Sequence, residues 1–184
     1  APRMSYSLVQ WSRPSREGLK LNIDGCSKGN PGVSGGGGVL RDSGGRLILA
    51  FSCHLGQATS VQAEVRALLF GVKVCIQRGL RNLEIELDSL VLVHILLGKA
   101  SCPWSVFQEI QQLLAFKEHI SCVGHCFRQA NQVVDVLSNV GCARGGEVIY
   151  KAASELPPVA RGALCLDRCG HPFVRKIVQD HVDV

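Results

Sequence analysis

The chain has no Cys-x-x-Cys pair, no internal repeat, and no uninterrupted apolar run near the ~20 residues that a membrane helix requires. Each absence removes a class. Nine cysteines, an odd number spread along the whole chain, argue against a disulfide framework and for a reducing compartment, nucleus or cytoplasm, where most serve as small buried apolar side chains. The opening Ala1-Pro2-Arg3-Met4-Ser5 reads as a few residues ahead of an internal or native Met. It shows neither a signal-peptide core nor a cleavage site, so an intracellular protein is expected and a secreted one is not. No Lys-Ser or Lys-Thr follows the glycine run Gly35–Gly38, which excludes a phosphate loop of the P-loop kind. Cys165, Cys169 and His171 lack an obvious fourth ligand and the usual spacing, so a zinc site in the tail is not expected.

What is present is enough for one domain with an appendage: 184 residues can bury a sizeable core but cannot make two full domains. The net charge is +5, and residues 1–141 hold fourteen Lys and Arg against ten Asp and Glu, a balance that tolerates a nucleic-acid partner without requiring one. Residues 1–16 lack periodicity and read as a leader whose Trp11 packs on the domain. From Glu17 the chain alternates through Ile23, turns at a Gly/Asn/Pro segment, and enters a second strand over 35–42 with unusual freedom at its glycine-rich start. Asp42-Ser43-Gly44-Gly45 is a hairpin turn into a third strand, Arg46 to His54, which completes an antiparallel meander.

Residues 59–79 then change to helical spacing, with Val61, Val65, Leu68, Leu69, Val72, Val74 and Ile76 forming a wide apolar stripe that Gly79 closes. A strand over 82–87 leads to a helix over 89–97 whose Leu90, Val91, Val93, Ile95 and Leu96 read as mostly buried. A helix from Trp104 to Lys117 after Pro103, a strand from His119 to Phe127 and a helix from Ala130 to Val140 follow. The order predicts an α/β fold, a mixed five-stranded sheet made of an antiparallel meander plus two parallel strands, flanked by helices. Beyond Cys142 the pattern fades. Residues 147–154 allow a short helix that Pro157-Pro158 breaks, so 142–184 are expected to form a loosely packed extension to a domain of 17–141.

Four carboxylates carry the functional signal. Asp24 ends the alternating run Leu19-Lys20-Leu21-Asn22-Ile23, Glu64 opens the helix that follows Thr59-Ser60, and Asp88 ends the strand Leu83–Leu87 and reads as the cap of a helix beginning at Ser89. Asp135, in Asn131-Gln132-Val133-Val134-Asp135, lies on the last helix of the domain. Singly, each is an ordinary cap or turn former. Brought to one point they repel, and a folded protein keeps such a cluster with cations to neutralise it; an all-oxygen donor set points to Mg²⁺. His119, Cys122, His125 and Cys126 share one strand and read as structural. Arg128 reads equally as a phosphate holder and as the partner of a carboxylate.

These residues, in the order Asn22-Ile23-Asp24-Gly25, Lys28-Gly29-Asn30-Pro31-Gly32, Ala63-Glu64, Asp88-Ser89 and Phe127-Arg128-x-x-Asn131-x-x-x-Asp135, resemble type 1 ribonuclease H. The nearest likeness is the plant reverse transcriptase-like ribonuclease H domain of non-LTR retroelements, over about residues 18–141. The tail is similar too, through Leu156-Pro157 and Leu166-Asp167-x-x-Gly170-x-Pro172. The resemblance implies a ribonuclease H-like fold and an endonuclease that cuts the RNA strand of RNA–DNA hybrids. It implies that Asp24, Glu64, Asp88 and Asp135 hold two Mg²⁺ ions, for which Mn²⁺ can substitute. It also places Gly25, Cys26, Gly29, Asn30, Thr59, Ser60, Gln62, Ser89 and Arg128 among the substrate contacts, against the wide minor groove where the 2′-hydroxyl marks RNA.

Three departures accompany the match. Val61 stands where family members often carry Asn, Arg128-Gln129-Ala130 replaces a longer histidine-bearing loop, and residues 98–104 offer only Lys99 where some bacterial members have a basic protrusion. They motivate a second expectation, a non-catalytic nucleic-acid-binding module domesticated from a retroelement. A 3′–5′ exonuclease ranks last, because Asp24-Gly25-Cys26 lacks the second acid of an Asp-x-Glu pair. No membrane partner is expected, and protein partners are left open.

Overall fold

The computed structural model describes residues 3–179. Its centre is strand β2 (Leu19–Gly29), and strict alternation decides what each of its faces does. Leu21 and Ile23 are fully buried on one face, while Asn22 and Asp24 point to the other. β2 pairs antiparallel with β3 (Gly32–Arg41), and β3 with β4 (Leu47–Ala58), which gives the expected meander with longer strands than the pattern alone suggested. On the other side β2 runs parallel to β5 (Leu83–Leu87), and β5 runs parallel to β6 (Ile120–His125). Helix α1 (Ser60–Gln77) makes the crossover to β5. It begins with a capping box in which Thr59 Oγ1 accepts from Gln62 N and Gln62 Oε1 accepts from Thr59 N.

The helices cover both faces. Val65, Leu68 and Val72 of α1 pack with Leu21, Ile23 and Ile85 in one apolar core, which also takes in α2 (Leu90–Leu96) and α3 (Phe107–Ala115). On the opposite face Val133, Val134 and Leu137 of α4 (Gln132–Arg144) pack with Val39 and Ala50 in a second core. The glycine run between these layers is explained by close approach on alternating sides. A Cβ at Gly35 or Gly37 would overlap the α4 backbone, and one at Gly36 or Gly38 would overlap Ala67 or the Phe51 ring. Among the described residues, no helix is long and apolar enough to cross a membrane.

Several expectations are corrected. The main sheet has six strands, in the order β6-β5-β2-β3-β4-β7, because residues 147–150, read as part of a short helix, form strand β7 (Glu147–Tyr150) against the β4 edge. The extension is well packed. Leu156 is buried, and helix α5 (Pro158–Arg168) buries Ala160, Ala163 and Leu164 in the α4 core; Pro158 takes the first helical position, where its missing N–H is harmless, and starts a helix rather than stopping one. The leader is not loose either. Strand β1 (Arg3–Val9) pairs antiparallel with β8 (Phe173–Gln179) in a separate two-stranded ribbon. Trp11 is buried as expected, under the Arg41 guanidinium at 3.8 Å from its ring.

Smaller differences follow from side-chain chemistry. Leu90 and Val91 are exposed, at 49% and 61%, and Leu92, Val93 and Ile95 form the buried stripe of α2. The segment 104–117 starts as a 3-10 turn at Trp104–Val106 before α3, and Lys117–His119 form another 3-10 turn ahead of β6. Ser89, not Asp88, caps α2: its Oγ accepts from Leu92 N at 3.3 Å, which releases the Asp88 carboxylate from that duty.

Candidate active site

Asp24 sits midway along β2, just past the point where its pairing with β5 ends at Ile23, beside the start of α1, and the next residue allows that approach. A Cβ at Gly25 would overlap the backbone of Ala63 and Glu64, so only glycine lets the helix come close enough to bring Glu64 to Asp24. Asp88 arrives from the end of β5, the parallel neighbour of β2. α4 supplies the fourth acid, and its entry is tied to the same strand: buried Asn131 donates from Nδ2 to Ile23 O at 3.1 Å, one turn before Asp135. Asp24, Glu64, Asp88 and Asp135 line one solvent-connected cavity of about 340 Å³ together with Gly25, Cys26, Ser27, Lys28, Ser60, Arg128 and Asn139.

The electrostatics of this cavity are those of uncompensated acids. Burial pushes the Asp24 carboxyl up to about 6; the Ser138 hydroxyl, donating at 2.6 Å, lowers it, and Asp88 and Asp135 raise it further. Glu64 is pushed up to about 7, again first by burial, with the Ser89 hydroxyl opposing and Asp88 and Asp24 adding to the rise. Asp88 is raised by burial, against which the Arg128 guanidinium acts. Arg128 Nη2 donates to Asp135 Oδ1 at 3.1 Å, an ion pair in which the arginine side chain is 77% exposed. The pair therefore occupies one oxygen of one acid from the solvent side and leaves the cavity open.

The acids fit hard divalent cations in chemistry, being an all-carboxylate set held against its own repulsion. Among the described residues no three His, Cys, Asp or Glu side chains are already drawn into a coordination shell. The four acids share one cavity.

The remaining predicted contacts divide. Gly25, Cys26, Ser60 and Arg128 line the cavity. Ser89 borders the narrow cleft between Asp24, Glu64 and Asp88. Gly29, Asn30, Thr59 and Gln62 do not line the cavity: Asn30 Oδ1 accepts from Ser60 N at 3.1 Å, Thr59 and Gln62 cap α1, and Gln62 Nε2 reaches Ser105 O. Val61 is half-buried against the α1 core. His125 places Nε2 at 3.2 Å from Asp88 O and stands edge-on to Phe127, a structural setting.

Sequence reading missed Ser138, Asn139 and Lys28. Ser138 is fully buried and links the Asp24 carboxylate to α4, donating to Asp24 Oδ2 and lying 3.0 Å from the backbone carbonyl of Asp135; Asn139 Nδ2 donates to the same carbonyl at 2.7 Å, and Asn139 Oδ1 accepts from Lys28 Nζ. Spacing held the signal, since Ser138 and Asn139 lie three and four residues after Asp135 on one helix face. A separate apolar hollow of about 180 Å³ between α2, α3 and β6 contains no acid.

Comparison with known proteins gives a consistent result. The model of the reverse transcriptase-like family matches residues 22–141. The chain is 32% identical over 134 residues to a protein of Arabidopsis thaliana named "Putative ribonuclease H protein", a match that covers 72% of this chain and 22% of that protein. It is 32% identical over 98 residues to ribonuclease HI of Halobacterium salinarum, covering 53% of this chain and 48% of the relative. The chain thus spans about a fifth and about half of the lengths of these two proteins. The crystal structure of the Halobacterium salinarum ribonuclease H1 superposes with a TM-score of 0.64 at 24% identity, over 68% of this chain and 97% of that one. A ribonuclease H1 called LC11, solved in complex with an RNA/DNA hybrid, gives 0.63 at 25% identity over the same shares.

Proposed function

Since the chain belongs to the reverse transcriptase-like family of type 1 ribonuclease H-like domains, we propose that it hydrolyses the RNA strand of RNA–DNA hybrids in a divalent-cation-dependent reaction. The observation that carries this reading is the meeting of Asp24, Glu64, Asp88 and Asp135 in one open cavity where, among the described residues, Arg128 and Lys28 are the cations on its walls. The relatives named ribonuclease H and the hybrid-bound neighbour support the choice of substrate.

In this reading the four carboxylates hold two Mg²⁺ ions, or Mn²⁺ in their place, which when bound lower the pKa of the attacking water and stabilise the leaving 3′ oxygen. Ser138 fixes the Asp24 carboxylate by its 2.6 Å hydrogen bond, and so leaves the other oxygen, Oδ1, to face the cavity. Arg128 exchanges Asp135 for a substrate phosphate, a swap its exposure permits and its planar fork favours. Ser60 at the start of α1 and Gly25 and Cys26 of β2 complete the cavity wall, along which the strand to be cut would lie. The products carry 5′-phosphate ends.

The test is a labelled RNA–DNA duplex incubated with protein and Mg²⁺ or Mn²⁺, beside DNA–DNA and RNA–RNA duplexes and the Asp24→Asn variant. Hybrid-specific turnover beyond stoichiometry, absent from the variant, supports the assignment; an equally active variant removes it. The Arg128–Asp135 ion pair favours the second reading, a nucleic-acid-binding module without turnover. Hybrid binding with no cleavage in excess Mn²⁺ would select it.

A further inference from the structure

The terminal ribbon brings a cation against the turn that carries Arg128, from a part of the chain that the family match, over residues 22–141, does not include. β8 packs against the 3-10 turn Arg128–Ala130, the turn that delivers Arg128 to the acids. At the contact the Arg175 guanidinium lies over the Phe127 ring, 3.9 Å from its centroid, and the ring itself is 37% exposed. Stacking fixes the plane of a guanidinium without using its N–H donors, which lie in that plane and point outward. Among the described residues, none of the ion pairs includes Arg175.

A second cavity, of about 330 Å³, continues from the first on this side. It is lined by Arg128, Gln129, Gln132, Asp135 and Val136, and shares Arg128 and Asp135 with the acid-lined one. A strand crossing the acids thus has an open path over the face where guanidinium and amide donors gather. Arginine and glutamine are the side chains that hold a nucleic-acid backbone in register through its phosphates.

We propose that β8 belongs to the nucleic-acid interface: Arg175, stacked on Phe127, binds a backbone phosphate of the substrate where it leaves the cleavage site across Gln129 and Gln132. The ribbon then supplies in part what the missing basic protrusion supplies elsewhere, from a segment about 70 residues further along the chain. The opposite face of β8, with Val174, Lys176 and Val178 exposed, points away from Phe127 and takes no part.

This inference rests on the hydrolase reading, and binding without cleavage separates the two. Hybrid affinity of the Asp24→Asn protein is measured by fluorescence anisotropy between 50 and 200 mM salt, alone and combined with Arg175→Gln, Arg175→Lys or Lys176→Gln. Losing one phosphate contact should flatten the log–log salt slope by about 0.7–0.9 in Arg175→Gln, and leave it unchanged in Lys176→Gln. Arg175→Lys, which keeps the charge, should retain the slope, so a loss in Arg175→Gln alone reports charge rather than a misfolded ribbon. An unchanged slope in Arg175→Gln, or equal losses in Arg175→Gln and Lys176→Gln, overturns the role of Arg175 and leaves the hydrolase reading standing. A parent protein with no affinity for the hybrid overturns both.

Discussion

One face of β2 carries two buried charge clusters two residues apart, and they are built on opposite rules. Around Asn22, charges cancel. Arg41 and Asp167, 1% and 2% exposed, meet at 2.6 Å; Lys20 meets Glu86 at 3.0 Å; and the Asn22 amide joins them, its oxygen accepting from Arg41 and Trp11 and its nitrogen donating to Glu86. Around Asp24, charges accumulate: four acids face two cations, and burial raises Asp24, Glu64 and Asp88 above the ordinary carboxylate range. The first cluster fastens the tail to the sheet. The second is unfavourable for folding as it stands, a cost that the cations of the proposed function would offset.

The sharpest test of that contrast is to neutralise one member of each cluster. Asp24→Asn or Glu64→Gln should lower hybrid hydrolysis by about 10³-fold or more, because several kcal/mol of transition-state stabilisation depend on the bound cations. Circular dichroism and melting should show the fold intact. Asp167→Ala should do the reverse. Stranding Arg41 in the interior costs about 3–5 kcal/mol, and the denaturant midpoint should fall accordingly while turnover per folded molecule holds. An apolar pair at positions 41 and 167, Arg41→Met with Asp167→Leu, should recover most of the loss. If Asp167→Ala leaves stability unchanged, the first cluster is not the fastening described above.

The acid cluster also carries a pH response. For Asp24 and Glu64 the unfolded chain loses its protons near the ordinary carboxylate values of 3.8 and 4.5, whereas the folded chain keeps them to about 6 and about 7. Stability is therefore full below about pH 4, falls as pH rises through that window, and stays lower above it. For Asp24 alone, at about 1.4 kcal/mol per pH unit, the fall is about 3 kcal/mol. In chelator, Asp24→Asn should be more stable than the parent at pH 8 and nearly equal to it at pH 4. Urea titrations at the two values check this, and added Mg²⁺ should narrow the gap at pH 8 by stabilising the parent. A parent that gains stability from pH 4 to 8 in chelator would contradict the picture of uncompensated acids.

Legibility in the sequence followed the same division. The acids could be read because each ends an alternating run or rides a periodic helix, and their type 1 pattern is local. The meander, α1 and the parallel strands were readable for the same reason. The neutral cluster was not. Arg41 ends a glycine-rich strand, Asp167 lies 126 residues away on a helix introduced by two prolines, and nothing short-range links them. Strand β7 is four residues long, within the ambiguity of a short apolar run, and β1 is defined only by its pairing with β8. Such partners are chosen by tertiary packing, which local propensity does not encode.

Ser138 belongs to the acid cluster by contact and to the structural cluster by burial, so it tests whether the two can be separated at all. Its hydroxyl reaches Asp24 Oδ2 at 2.6 Å and lies 3.0 Å from Asp135 O, with no exposure. If its role is to aim the Asp24 carboxylate, Ser138→Ala should cost about 10–100-fold in activity or cation affinity, the range for a residue that orients a ligand. The cation concentration giving half-maximal rate should rise, and cleavage should recover in part at high Mg²⁺. If its role is packing, the same variant would shift the melting temperature and leave the cation dependence alone. The hydrogen bond also lowers the Asp24 carboxyl. Its loss should therefore push that group further up and move the acid limb of the rate profile to higher pH, a change that lost packing would not produce.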